Sequence, residues 1–148
     1  MDGLRRKALA ALGTLVAGAL LPLRALAAWN KEAFQAKSAG DALKGIGAGS
    51  SAETKDILIE APQIAENGAV VPIEITSNIP GTRSIAVVIE KNPFPLAAQF
   101  NFQEGALPFV KVNVKVGESS FVRVVAEAGG KHFSAAKEVK VTIGGCGG

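Results

Sequence analysis

A chain of 148 residues with 48% apolar content and no low-complexity tract suits a single domain and excludes a disordered one. Its formal charge of +3 is concentrated at the beginning: Arg5, Arg6, Lys7 and Arg24, offset only by Asp2, all precede Ala28. The remainder carries twelve basic and twelve acidic residues, a balance that gives no net basic surface for nucleic acid or for an anionic membrane.

Residues 1–27 read as an export signal. A basic start (Arg5, Arg6, Lys7) precedes an apolar run from Ala8 to Leu23, and Ala25-Leu26-Ala27 forms a small-x-small cleavage site. A membrane anchor is the competing reading, but the run from Ala8 to Leu23 is about sixteen residues and is interrupted at Pro22, short of the ~20 needed to span a bilayer. Arg5 and Arg6 beside the run raise a twin-arginine signal, which is read by machinery that moves folded cargo. Gly3, Leu4 and Ala8 depart from that pattern, and a basic general-secretory signal fits the same residues.

Residues 28–51 are expected to be helical in two pieces. The first is expected from Trp29 to about Ser38, where Trp29, Ala33, Phe34 and Lys37 recur at helical spacing with Asn30 as cap. Ser38 stands three residues before Asp41 in capping-box order, with Leu43 and Ile46 as the buried face of a second helix. Gly45, Gly47 and Gly49 are expected to stop it, and Ser50-Ser51 to link onward. Trp29 and Phe34 are read as core or partner packing.

From Ile57 the period changes to two, and residues 52–143 are predicted to form a β-sandwich. Ile57 to Ala61 is the first candidate strand, ended or edged by Pro62. Asn67-Gly68 marks a turn before alternating Val71, Ile73 and Ile75, and Pro80-Gly81 marks another before Ile85, Val87 and Ile89. Pro93 and Pro95 confine Phe94 to a loop, and Phe100 and Phe102 suggest a short strand. Val110, Val112, Val114 and Val116 alternate with Lys111, Asn113 and Lys115, the pattern of a sheet with one buried face. After Gly117 come Val122, Val124 and Ala126. Gly129-Gly130 joins these to a last run with Val139, Val141 and Ile143 inward, Lys140 and Thr142 outward. About seven short strands without intervening helices predict an immunoglobulin-like antiparallel β-sandwich with short N-terminal helices. Lys111, Lys115 and Pro72 are consistent with blunted sheet edges.

Residues 144–148 are Gly-Gly-Cys-Gly-Gly and hold the only cysteine, Cys146. Gly144, Gly145, Gly147 and Gly148 give that thiol wide backbone freedom, so the tail reads as a flexible arm on a rigid strand. A terminus with an incidental cysteine is the plainer reading. One cysteine forms no intramolecular bridge, so in an oxidising compartment the thiol stays free, pairs with another chain or carries an adduct. His132 reads as a surface residue of a hairpin, and a Cys-His pair with Cys146 would need tertiary proximity. One histidine and one cysteine do not furnish a zinc site, and no P-loop, dinucleotide fingerprint or Cys-x-x-Cys occurs. Nothing beside Cys146 lowers its pKa, so activation is expected from a partner. The chain is read as a carrier without catalytic residues or metal of its own.

The terminal Gly-Gly-Cys-Gly-Gly behind Val139-Lys140-Val141-Thr142-Ile143 resembles the SoxY family of sulfur carriers in thiosulfate oxidation. So do Ala28-Trp29-Asn30-Lys31, Ile57-Leu58-Ile59-Glu60-Ala61-Pro62 and Glu66-Asn67-Gly68-Ala69-Val70-Val71-Pro72. The resemblance implies a periplasmic protein that carries covalent sulfur adducts on Cys146 and no cofactor of its own. It implies a heterodimer with a SoxZ-like subunit, exported folded. It also implies transient contact with a SoxXA-like haem enzyme, a SoxB-like metal-dependent hydrolase and a sulfur dehydrogenase. Two other classes fit parts of the chain. One is an exported structural domain making an intermolecular disulfide through Cys146. The other is a ubiquitin-like sulfur carrier ending in Gly-Gly, for which an export signal and Cys146 would have no purpose.

Overall fold

A computed structural model describes residues 29–142. The expected export signal, Ala28, Ile143 and the Gly-Gly-Cys-Gly-Gly sequence with Cys146 lie outside the described residues. Two short helices come first, α1 (Lys31–Gln35) and α2 (Ala39–Gly45). Nine strands follow: β1 (Ala52–Glu53), β2 (Ile57–Glu60), β3 (Ile64–Ala65), β4 (Val71–Ser77), β5 (Thr82–Ile89), β6 (Leu96–Asn101), β7 (Phe109–Val114), β8 (Ser120–Ala128) and β9 (Lys131–Val141). The larger sheet has the order β1-β9-β8-β5-β6 with β3 also on β9, and the smaller is β2-β4-β7. The protein is thus mainly β, a two-sheet sandwich of the predicted class.

The caps form as their chemistry requires. Asn30 Oδ1 accepts from the Ala33 amide at 3.1 Å, and Ser38 Oγ accepts from the Asp41 amide at 3.1 Å while donating to its carboxylate at 2.7 Å. Helix α1 ends at Gln35, three residues short of the expected Ser38. Helix α2 ends at Gly45, the first of the glycines expected to stop it, and Gly45 also admits α1: a Cβ there would lie 2.8 Å from Ala33 Cβ. Leu43 and Ile46 are half-buried against the core as expected. Of the two readings of Trp29, core or partner packing, the core is the one it does not take. It is 64% exposed, its ring tilted against Phe34 at 5.1 Å between centroids.

The inner faces of the sheets meet through Ile73 and Ile75 of β4, Ile85, Val87 and Ile89 of β5, Val122 and Val124 of β8, and Val139 of β9, all fully buried. Each such side chain is worth about 1.5–3 kcal/mol of transfer free energy. The helices cover the other face of the larger sheet, where Ala33 and Ala42 pack on Ala86, Val88, Leu96 and Val125. Strand β5 is therefore buried on both faces from Ile85 to Ile89, and β8 over Val124, Val125 and Ala126. This explains the unbroken apolar run Ile85–Ile89, which period-two reading takes as alternation.

Four further expectations are corrected. The short strands β1 and β3 were not anticipated, because two residues carry no period; both pair in parallel with β9, so the sandwich is not wholly antiparallel. The strand expected at Phe100 and Phe102 starts earlier, at Leu96, and Phe102 lies beyond its end. Val116 is fully buried as expected but follows the end of β7. Pro72 does not blunt an edge strand: it lies in β4, central in its sheet, opposite Asn113. Strand β2 has ended by then, at Glu60 opposite Glu74, so the missing N–H removes no ladder bond on that side. Among the described residues, no helix is long and apolar enough to cross a membrane.

Candidate functional site

Strand β9 carries the chain out of the sandwich towards Cys146, and its last residues are held differently from the rest. Strand β8 pairs with it from Lys131 to Val139. Beyond Val139, β3 takes over on the other edge, Ile64 opposite Lys140 and Ala65 opposite Val141. The Lys140 amide donates to Gln63 O at 2.9 Å and the Thr142 amide to Ala65 O at 3.2 Å. Ser119 closes the side that β8 vacates. Its Oγ accepts from the Val141 amide at 2.9 Å, with a longer return contact of 3.4 Å to the Val141 carbonyl.

Gly68 completes this exit. A Cβ there would collide with the Val116 carbonyl oxygen and come within 2.9 Å of Val141 Cγ1. The turn at Asn67 delivers it: Asn67 Oδ1 accepts from the Ala69 amide at 3.0 Å, and Gly68 O accepts from the Val116 amide at 2.7 Å. Sequence reading found the turn but not this packing, nor any part for Ser119, Ala65 or Gln63. No signal marks them, since their partners lie far along the chain.

The distances bear on the one histidine. His132 is half-buried at the start of β9, opposite Glu127 and beside Gly47. Ten residues of extended strand put it about 30 Å from Thr142, whereas the four residues from Thr142 to Cys146 reach at most about 14 Å. The fold therefore keeps His132 and Cys146 of one chain apart. Among the described residues, no three His, Cys, Asp or Glu side chains gather where they could hold a metal ion.

The surface round the exit is apolar with interspersed charge. On the outer face of the larger sheet, Phe121 lies opposite Glu138 and Ile64 opposite Lys140. Phe121 is 46% exposed, Ile64 59%, and Val70, two residues beyond Gly68, 55%. Gln63, Ile64, Lys137, Glu138 and Lys140 line an open groove of about 320 Å³ beside the strand. Elsewhere, Lys111 on the small sheet is paired with Glu74. The hydrogen bond to that carboxylate, and then its charge, hold the lysine above its ordinary pKa.

The family described as "Sulfur oxidation protein SoxY" matches residues 44–146. The chain belongs to the SoxY family. Among solved structures it is similar to the sulfur carrier protein SoxY from Chlorobium limicola f thiosulfatophilum, at 37% identity and a TM-score of 0.62, over 70% of this chain and 96% of that one. It is also similar to a superoxide reductase (neelaredoxin) from Ignicoccus hospitalis, at 21% identity and a TM-score of 0.53, over 60% of this chain and 82% of that one, a likeness of fold alone. No curated protein sequence matches. As a SoxY-family protein the chain is a sulfur carrier, and the family match spans β1 to β9 and ends at Cys146.

Proposed function

We propose that this protein is an exported carrier that holds thiosulfate-derived sulfur on Cys146 and presents it to separate enzymes in turn. The observation that carries the reading is the extent of the family match, which runs through the exit strand to the sole cysteine. The clamped exit supports it from the other side: a fixed base precedes a run whose only reactive side chain is one thiol.

The chemistry asks little of the carrier. A thiolate and thiosulfate join as Cys–S⁻ + S₂O₃²⁻ → Cys–S–S–SO₃⁻ + 2e⁻, the electrons passing to a haem enzyme of the SoxXA kind. Water then cleaves the terminal group, Cys–S–S–SO₃⁻ + H₂O → Cys–S–S⁻ + SO₄²⁻ + 2H⁺, on a metal-dependent hydrolase of the SoxB kind. A sulfur dehydrogenase oxidises the sulfane that remains. Each step needs a base, metal or electron acceptor supplied by the enzyme, while the carrier contributes Cys146 and, in Gly144, Gly145, Gly147 and Gly148, a backbone slender enough to enter a pocket. A SoxZ-like subunit forms the stable partner. Arg5, Arg6 and the site Ala25-Leu26-Ala27 direct folded export to the periplasm with cleavage.

Intact mass of the protein from cells grown with and without thiosulfate tests this. Several adducts on one cysteine, lost on reduction, are expected. One fixed disulfide-linked mass under both conditions would instead indicate a structural bridge. Cys146→Ser should abolish thiosulfate-dependent sulfate formation while leaving the melting temperature and subunit binding unchanged; undiminished sulfate formation would sink the carrier reading.

A further inference from the structure

Resting on the carrier reading, we infer that Lys140, Val141 and Thr142 form a latch between the sandwich and the segment that bears Cys146. Closed, the latch holds that segment at its short length; released as a unit, its three residues join the segment and let Cys146 travel farther from the body.

The end of β9 is attached by means unlike those of the rest of the strand. Through Val139 it is one side of a continuous antiparallel ladder with β8, and Val139 itself is fully buried. The next three residues hang on one amide bond each. Lys140 donates to Gln63 O at 2.9 Å, Thr142 to Ala65 O at 3.2 Å, and Val141 to Ser119 Oγ at 2.9 Å. The first two bonds belong to the edge formed by β3, a strand of two residues that pairs with β9 alone among the described residues. The third goes to a side-chain hydroxyl in place of a ladder carbonyl. Lys140 and Thr142 are exposed and Val141 is half-buried, so release brings little apolar surface into water. Segments held in this way open locally, at a free energy far below that of global unfolding.

The socket does not depend on the latch. Gly68 O accepts from the Val116 amide at 2.7 Å and Asn67 Oδ1 from the Ala69 amide at 3.0 Å, bonds in which β9 has no part. The recess that Gly68 leaves for Val141 therefore keeps its shape for the return. Release also has a fixed limit, because the next residue inward is Val139, buried in the core and paired with Ser120. The two states differ by three residues, and the difference is reach. From Thr142, Cys146 extends at most about 14 Å, whereas from Val139 seven residues extend at most about 25 Å. A reacting group that lies deeper in a pocket than the first limit is met only from the released state.

Amide exchange in the full mature protein, with its co-purifying subunit, tests the latch. The amides of Lys140, Val141 and Thr142 should share one degree of protection, well below that of Val139. In Ser119→Ala all three should exchange about fivefold faster, the weight of one hydrogen bond, while Val139 keeps its wild-type rate. Thr142→Pro, which removes the bond on the opposite edge, should speed Lys140 and Val141 alike. Protection graded from Thr142 inward, or acceleration of Val141 alone in Ser119→Ala, is ordinary fraying and overturns the latch; acceleration that includes Val139 overturns it as well. Reach is tested on protein treated with tetrathionate, which leaves –S–SO₃⁻ on the Cys146 sulfur and releases thiosulfate. A purified hydrolase of the SoxB kind should release sulfate more slowly from a variant lacking Ile143 and Gly144, and adding Ser119→Ala to that variant should restore part of the loss. An undiminished rate in the shortened variant, or no restoration by Ser119→Ala, overturns the latch as a device for reach and leaves the carrier reading standing. A loaded wild type that releases no sulfate overturns the carrier reading itself, and the latch with it.

Discussion

Gly68 shows how much one missing side chain decides. Its Cα lies where the turn before β4 passes Val116 and Val141, and a methyl group there meets a backbone carbonyl that cannot move aside. Gly68→Ala should therefore destabilise by about 1–3 kcal/mol, read from the urea midpoint. Gly40→Ala, whose nearest neighbour would be Ser38 Oγ at 4.0 Å, should stabilise by about 0.4–1 kcal/mol. Equal effects at the two positions would contradict the close approach at the exit. Lys111 gives the pH-dependent counterpart. Its pKa is raised by Glu74, so the stability it contributes is present in full below the ordinary lysine value of about 10.4 and is lost as pH rises through the higher folded value. The stability difference between wild type and Lys111→Gln should be level at neutral pH and shrink above about pH 10.4. Because the pair is exposed, that difference is small and falls further with salt.

At the scale of elements, β9 is the strand that leads to Cys146 in the proposed carrier role. Over its first nine residues it belongs to the larger sheet through β8, and only at Lys140 and Val141 does it pass to β3. The alternation of Val139, Lys140 and Val141 was legible as a strand. Its change of partner was not, because β3 has two residues and its parallel partner lies seventy-six positions later. Beyond the clamp, the proposed carrier role depends on a pliable link. Replacing Gly144 and Gly145 by proline fixes φ near −65° at both positions and narrows the directions Cys146 can take. Loading of Cys146 by the haem enzyme should slow in this variant while labelling by a small reagent such as iodoacetamide does not. An unchanged enzymatic rate would show that pliancy is unimportant.

At the scale of the whole molecule, the sandwich is a support that places one end of one strand at the surface, and in the proposed role export sets the compartment in which that end works. If the chain leaves the cytoplasm folded together with its subunit, Arg5→Lys with Arg6→Lys should hold both proteins in the cytoplasmic fraction. Normal export of that variant would assign the signal to the general secretory route. The sequence by itself determined the strand class, the caps at Asn30 and Ser38, the turns at Gly81 and Gly129-Gly130 and the family resemblance, since each rests on periodicity, short-range chemistry or a contiguous motif. The tertiary structure alone decided that β5 and the middle of β8 are buried on both faces, that Trp29 lies outside the core, that His132 is beyond reach of Cys146, and that Ser119, Gly68 and Ala65 meet at Val141. Those facts depend on residues brought together from distant parts of the chain, and no local pattern encodes such a meeting.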